Sequence, residues 1–196
     1  QVLPLLCLPL YVAALVFGAW VMAIAPFSAL GYLGWVLSIG CVGGVIAINT
    51  GHELIHKTTK LETTAGGLLL ACVGYGSFKV EHIYGHHVHV STPGDGSSAP
   101  LGDNVYAFIA RAFSHNVAMA YQLEKSNAER RGTAWTWWGS EINRLFAFTA
   151  VLAAVSTAIG GWIGLLYFIG QGVVAIALLE VINFIEHYGL ARRQLP

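Results

Sequence analysis

Charge is missing from the first quarter of this chain. No Asp, Glu, Lys, Arg or His stands before His52, and Leu145–Leu179 is likewise uncharged. Cationic and anionic residues number ten each, leaving no net charge. Nothing in that balance recruits nucleic acid, whose binding rests on neutralising phosphates. Cysteine is scarce too. Cys7, Cys41 and Cys72 lie far apart in apolar segments and form no CxxC pair, which excludes an iron–sulfur cluster or a rubredoxin-type iron and leaves them as buried thiols. No internal repeat or low-complexity tract stands out.

What is present is apolar sequence: 56% of the residues are hydrophobic and only 10% charged. That lies outside the range of soluble domains and indicates a membrane protein. A hydrocarbon core takes about 20 helical residues per crossing. The first crossing is expected over Leu5–Ala25, stopped by Pro26. Ser28 can cap a second helix running from Ala29 through Ala47 into the stretch NTGHELIHK, residues 49–57. Gly66–Phe78 is apolar but only thirteen residues long, too short to span, so it leaves the segments on either side of it on one face of the bilayer. From Ser91 to Gly139 the composition is that of a water-exposed segment. Asp103 or Asn104 is placed to cap an amphipathic helix over Val105–Lys125, continued and stopped by Glu129, Arg130, Arg131 and Gly132. Trp135, Trp137 and Trp138 crowd where the chain re-enters lipid. Leu145–His187 suits two crossings with a turn at Gly160 and Gly161. The expected fold class is all-α: a polytopic membrane helix bundle with about four transmembrane helices and a histidine-rich metal-binding region. Lys57, Lys60, Lys79, Arg111, Lys125, Arg130, Arg131, Arg144, Arg192 and Arg193 all fall on the histidine-bearing face, which the positive-inside rule places in the cytoplasm.

Seven of the eight histidines sit in three pieces: NTGHELIHK at 49–57, EHIYGHHVH at 81–89 and NFIEHYGL at 183–190. On a helix His52 and His56 project from one face, as do His82 and His86, with His87 turned about 140° from His82 if the helix is regular. Imidazoles so spaced can bind one metal ion or face a neighbouring one. A zinc ion needs about four ligands, and a catalytic zinc only three from the protein, so six or seven histidines fit two metals better. Iron, zinc, copper and nickel all suit an imidazole-rich site without thiolate, and spacing does not choose among them. His89 and His115 read as surface residues.

Carboxylates accompany the boxes. Glu53, Glu81 and Glu186 each adjoin a box histidine, and Glu180, Asn183 and His187 share a helical face. Such groups orient ligating rings or supply an oxygen ligand; Glu180 stands out because its crossing is otherwise apolar. Glu53, Glu81 and Glu180 are the candidate catalytic-site carboxylates. HELIH also matches the HExxH pattern of zinc peptidases, with Glu53 as general base, but that reading leaves His82, His86, His87 and His187 unexplained. A metal transporter would want more polar residues deep in the crossings.

With these residues in hand, the chain resembles the integral-membrane alkane 1-monooxygenase (alkane hydroxylase) family, within the histidine-box membrane hydroxylases and desaturases that include xylene monooxygenase. The matching stretches are NTGHELIHK, EHIYGHH at 81–87, TPGDGSSAPLGD at 92–103, ERRG at 129–132 and NFIEHYGL. The resemblance implies transmembrane helices around a di-iron site whose ligands here are His52, His56, His82, His86, His87 and His187. It also implies O2-dependent hydroxylation of the terminal methyl of a medium-chain alkane, electrons from rubredoxin, and a bacterial inner-membrane location. Fatty-acid desaturase-like and xylene-monooxygenase-like chemistry are the neighbouring alternatives. Residues 1–196 read as one hydroxylase domain, expected to be a fragment, inactive alone, that lacks N-terminal helices and a C-terminal histidine cluster. Three positions depart from the family pattern: Gly96 stands near a usual Pro, Phe184 replaces a Tyr, and Ser140 replaces an Asn.

Overall fold

The computed structural model describes residues 2–192; Gln1 and residues 193–196, Arg193 among them, lie outside. Among the described residues every regular element is helical. These are α1 (Leu3–Ile24), α2 (Ala29–Val42), a π-helical turn (Gly43–Ile48), α3 (Asn49–Ile55), α4 (Lys60–Cys72), α5 (Phe78–Glu81), a second π-helical turn (His82–His86), α6 (His87–His89), α7 (Val105–Arg130) and α8 (Glu141–His187). Three helical stretches are long and apolar enough to cross a membrane: Leu3–Ile24, Ala29–Ile55 and Glu141–His187. Large apolar side chains such as Leu10, Phe17, Leu30, Val151, Trp162 and Val173 stand exposed along them, as lipid-facing surfaces require. The chain is a multi-pass membrane protein.

It divides into two compact units, Gln1–Gly76 with Arg144–Ile176 and Ser77–Asn143 with Ala177–Pro196. In the first unit Ser28 caps α2 as expected, its hydroxyl accepting from the Gly31 amide, and α1 ends just before Pro26. Helix α8 is two helices joined at Gly161, whose φ of 60° and ψ of −146° are not helical. The chain doubles back there. A Cβ on Gly164 would stand 2.0 Å from the Ser156 carbonyl oxygen, whereas residues eight apart in one helix are separated by about 12 Å. The expected pair of crossings is present. Helix α4 has thirteen residues, about 20 Å of rise, and is too short to cross. It packs against α3 through two glycines: a Cβ on Gly66 would lie 2.8 Å from the Gly51 carbonyl oxygen. Close backbone approach at small residues replaces the hydrophobic drive that lipid removes.

One polar cluster ties this unit together. The Tyr11 hydroxyl donates to Gln171 Oε1 at 2.9 Å, and Gln171 Nε2 donates to the carbonyls of Cys72 (3.2 Å) and Phe168 (3.0 Å). Gln171 is fully buried. Interhelical hydrogen bonds in bilayers are worth about 0.6–1.7 kcal/mol each. Gln171→Leu is therefore expected to lower thermal stability in detergent by about 1–2 kcal/mol, read as a lower Tm, with Tyr11→Phe losing less.

The second unit is built on α7, which presents Phe108, Ala112, Asn116 and Ala120 at four-residue intervals as its buried face. Asn104, not Asp103, caps it, its side chain accepting from the Tyr106 and Ala107 amides. Asp103 instead accepts from the Asn104 amide and pairs with Arg111. The helix runs to Arg130, one turn beyond the expected Lys125, and Gly132 then turns out at a φ of 68°. Glu124 ends the segment: it accepts from Trp135 Nε1, the Ser140 hydroxyl and the Glu141 amide. Trp137 and Trp138 remain exposed, free to sit at the headgroups.

Candidate metal centre

Backbone geometry decides which imidazoles meet. Between His82 and His86 the helix widens to a π turn, and the His87 amide donates to the His82 carbonyl. An i→i+5 repeat lays the fifth residue over the first. His82 Nε2 and His87 Nε2 thus lie 2.9 Å apart, where a regular helix would turn them 140° from each other; that expectation is corrected by the π turn. His82 and His86 keep their common face, with rings stacked at 5.3 Å. In the first unit the π turn Gly43–Ile48 is over before the box, α3 is regular there, and His52 Nε2 and His56 Nε2 approach to 3.3 Å.

His86 forms the second focus of this unit. Its Nδ1 lies 3.1 Å from each carboxylate oxygen of Asp95, and its ring centroid is 4.9 Å from that of His187. Asp95 is held in turn by the Ser98 hydroxyl and by the amides of Ser91 and Ser97. With Nδ1 so engaged, Nε2 is the nitrogen left to bind a metal. The HYGL segment is anchored on the same loop. The Gly102 amide donates to the Tyr188 hydroxyl, and the Gly189 amide, with Gly189 at a φ of 70°, donates to the Ala99 carbonyl. That lashing sets the position of His187. Phe184 packs with Ala99, Phe108 and Ala112 in an apolar cluster. Gly96 is explained as well: a Cβ there would fall 2.0 Å from His115 Nδ1, leaving no room for a proline ring.

The carboxylates differ sharply. Glu53 is exposed and pairs with Lys57 at 2.5 Å, and Glu186 is exposed. Glu81 and Glu180 are buried, 1% and 0% accessible. Glu81 Oε2 has no hydrogen-bond partner, and Glu180 accepts from Asn183 Nδ2. An orphaned buried carboxylate oxygen beside imidazoles is what a bound cation would complete, so the donor set fits a metal ion. Burial works against ionised Asp95, yet the hydrogen bonds from His86 and Ser98 prevail and draw it down to about 2. For His86 burial works against the charged ring, and Asp95, with Glu81 and Glu180 beyond it, raises it nonetheless. Asp95 escaped the sequence reading, which took it for a turn former; its one signal was a carboxylate nine residues after His86 in a turn-rich loop.

Burial pushes Glu81 up to about 7, with Asp95 and Glu180 adding to the push and His86 opposing it. In metal-free protein the raised value means that stability is full below pH 4.5, falls as pH rises through about 7 and is level above. The loss is on the order of 3 kcal/mol. Glu81→Gln is expected to remove that step, making chelator-treated protein more stable than the unaltered one at pH 8 and equal to it at pH 4, as measured by denaturation. His89 is exposed, in keeping with its reading as a surface residue, and His115 is half-buried.

Comparison with known proteins agrees with these features. Residues 27–196 match the family model described as fatty acid desaturase. The whole chain is 45% identical to the alkane 1-monooxygenase 2 of Pseudomonas aeruginosa, covering 52% of that protein. Over 183 residues, 93% of the chain, it is 46% identical to the alkane 1-monooxygenase 2 of Alcanivorax borkumensis, covering 48% of it. It is 29% identical over 182 residues, 91% of the chain, to the xylene/toluene monooxygenase hydroxylase component of Pseudomonas putida, again covering 48%. The chain spans about half the length of the curated relatives it matches. It belongs to the fatty acid desaturase family.

Proposed function

We propose that the protein containing this chain is a non-haem di-iron monooxygenase that hydroxylates the terminal methyl of medium-chain alkanes, using O2 and electrons from rubredoxin. His52, His56, His82, His86, His87 and His187 are its proposed ligands in this chain, and the two compact units are proposed parts of one hydroxylase domain. The observation that carries the reading is the paired arrangement His82–His87 and His86–His187, more imidazole than one catalytic ion uses. Relatives named alkane 1-monooxygenase supply the substrate class.

An unactivated C–H bond offers no acidic proton and no carbonyl to polarise, so the O2 activation that bound iron supplies is the chemistry required. The chain's own part is orientation and exclusion of water. Asp95 fixes which nitrogen His86 presents. Tyr188 and Gly189 hold His187 in place, and the Phe184–Phe108 contact, with centroids 5.5 Å apart, keeps an apolar wall behind it. Apolar walls position a hydrocarbon by shape, because it forms no hydrogen bonds. In the first unit a cavity of about 410 Å³ lined by Met22, Leu33, Val36, Ile163 and Leu166 is such a wall. It lies at the Pro26 end of α2, near one membrane thickness from His52, so it would receive a chain and not its reacting carbon. The basic residues beside the histidines support a cytoplasmic site in a bacterial inner membrane.

A zinc peptidase needs Glu53 as base, whereas Glu53 is committed to Lys57 on an exposed face. A desaturase would return an alkene, not an alcohol. The test is iron content and product analysis of the intact membrane protein supplied with rubredoxin, its reductant and octane. Two irons per chain and 1-octanol carrying oxygen from O2 are expected; a single zinc, or no oxygenated product from protein with two irons, would overturn the proposal.

A further inference from the structure

Helix α2 continues through the π turn Gly43–Ile48 into α3 as one membrane-length stretch, Ala29–Ile55. Whatever the turn does to helical register is therefore passed on to His52 and His56. Two glycines bracket the turn, and both lie against α4. A Cβ on Gly51 would stand 3.1 Å from the Gly66 carbonyl oxygen and 3.3 Å from Leu69 Cβ. A Cβ on Gly43 would stand 3.3 Å from Cγ1 of Val73, the residue that ends α4. In a regular helix the eight steps from Gly43 to Gly51 turn through about 800°, which points the two glycines about 80° apart. A π turn absorbs one extra residue, and the remaining steps bring them to within about 20° of one face. The surplus is taken up away from α4, where Val45 is exposed.

A wide turn is the less favoured form of a helix, so its surroundings must hold it. Gly43, its first residue, lies against the Tyr11 hydroxyl: a Cβ there would stand 2.3 Å from that oxygen. The hydroxyl donates to Gln171 Oε1 at 2.9 Å, and Gln171 Nε2 donates to the carbonyl of Cys72, next to Val73. One turn earlier, a Cβ on Gly40 would stand 2.9 Å from the Gln171 carbonyl oxygen. Residues of α1, α2, α4 and α8 thus meet in one buried polar knot where the turn begins. In hydrocarbon no water replaces these bonds.

We propose that Tyr11 and Gln171 are positioning residues for the first histidine pair: their knot holds the start of the π turn against α4, the Gly51–Gly66 contact holds its end, and the turn between sets the direction in which His52 and His56 present their imidazoles. The proposal rests on the reading of that pair as metal ligands and adds what aims them. His52 lies nine residues beyond Gly43, about 13 Å along the axis. An error of one residue in register swings both rings by about 100° around the helix.

The test uses the intact protein in lipid nanodiscs, loaded with iron, with timed release to a chelator, Mössbauer spectra before release, and thermal unfolding alongside. Gln171→Leu is expected to accelerate iron release by about 10-fold, as loss of a group that orients ligands does, and to change the spectrum. Tyr11→Phe should act in the same direction, and it takes the place of Gln171→Leu should that variant not fold. Deletion of Val45 supplies the rescue. It removes the surplus residue, so a regular helix then keeps both glycines on α4 without the knot. The deletion alone is expected to retain iron as wild type does. Combined with Gln171→Leu it should restore retention and spectrum while Tm stays low, because the Gln171 bonds are still missing. A purely structural role for Gln171 predicts no such separation. The inference is overturned if folded Gln171→Leu and Tyr11→Phe release iron at the wild-type rate, if the Val45 deletion alone releases iron rapidly, or if it fails to rescue Gln171→Leu; each result leaves the two-metal reading intact. Wild-type protein that retains a single ion overturns the two-metal reading, and the same three comparisons on that ion decide the inference.

Discussion

Under the proposed di-iron reading, replacing His86 by alanine in the intact protein is expected to abolish alkane hydroxylation to background and to halve the bound iron. His86 joins the two foci of the second unit: its ring stacks on His82 at 5.3 Å and meets His187 at 4.9 Å. It is also the partner of Asp95. Alanine removes a proposed ligand nitrogen and leaves buried Asp95 without its imidazole partner. Removing one partner of a buried charged pair costs roughly 3–5 kcal/mol, so a fall in thermal stability should accompany the loss of activity. Iron counting separates the two effects. A variant that retained both irons and ordinary turnover would show that His86 is a structural histidine bound to a structural aspartate.

Gly164→Ala is expected to be the most disruptive small change in the first unit. The added methyl would meet the Ser156 carbonyl oxygen at 2.0 Å, and a backbone atom cannot swing aside as a side-chain tip can. The hairpin between the two arms of α8 must open. That repacks an interior that also carries the Gln171 cluster and the approach of Gly172 to the Val73 carbonyl. Overpacking of this kind costs about 1–3 kcal/mol where neighbours can yield, and here the loss should reach the upper end of that range. Thermal unfolding in detergent of Gly164→Ala beside Gly34→Ala, whose Cβ meets nothing within 4 Å, checks it. Equal melting of the two would mean that the hairpin is looser than its packing indicates.

The membrane reading, the start of α2 at Ser28, the break at Gly161 and the helix capped by Asn104 were legible in the sequence because each rests on a local rule: hydropathy, a capping hydroxyl, a glycine free to adopt positive φ, a side-chain amide at a helix start. The pairing of His52 with His56 and of His82 with His86 was legible for a similar reason, since four-residue spacing places rings on one face. Three things were not. The π turn at His82–His86 depends on the surroundings of the helix, and no residue in HIYGH announces it. Asp95 looked like a turn former, and its bond to His86 follows from the path of the loop. The burial of Glu81 and Glu180, where Glu53 stays exposed, depends on what packs over each.

By itself, then, the sequence determined that this chain crosses a membrane several times and carries three clustered histidine boxes. Apolar length and residue spacing are properties of neighbouring residues along the chain. Only the tertiary structure decided that His87 joins His82, that His86 turns to Asp95 and His187, and that Glu81 and Glu180 are buried. Those outcomes depend on burial and on contacts between residues up to a hundred positions apart, where desolvation makes a nearby charge matter most.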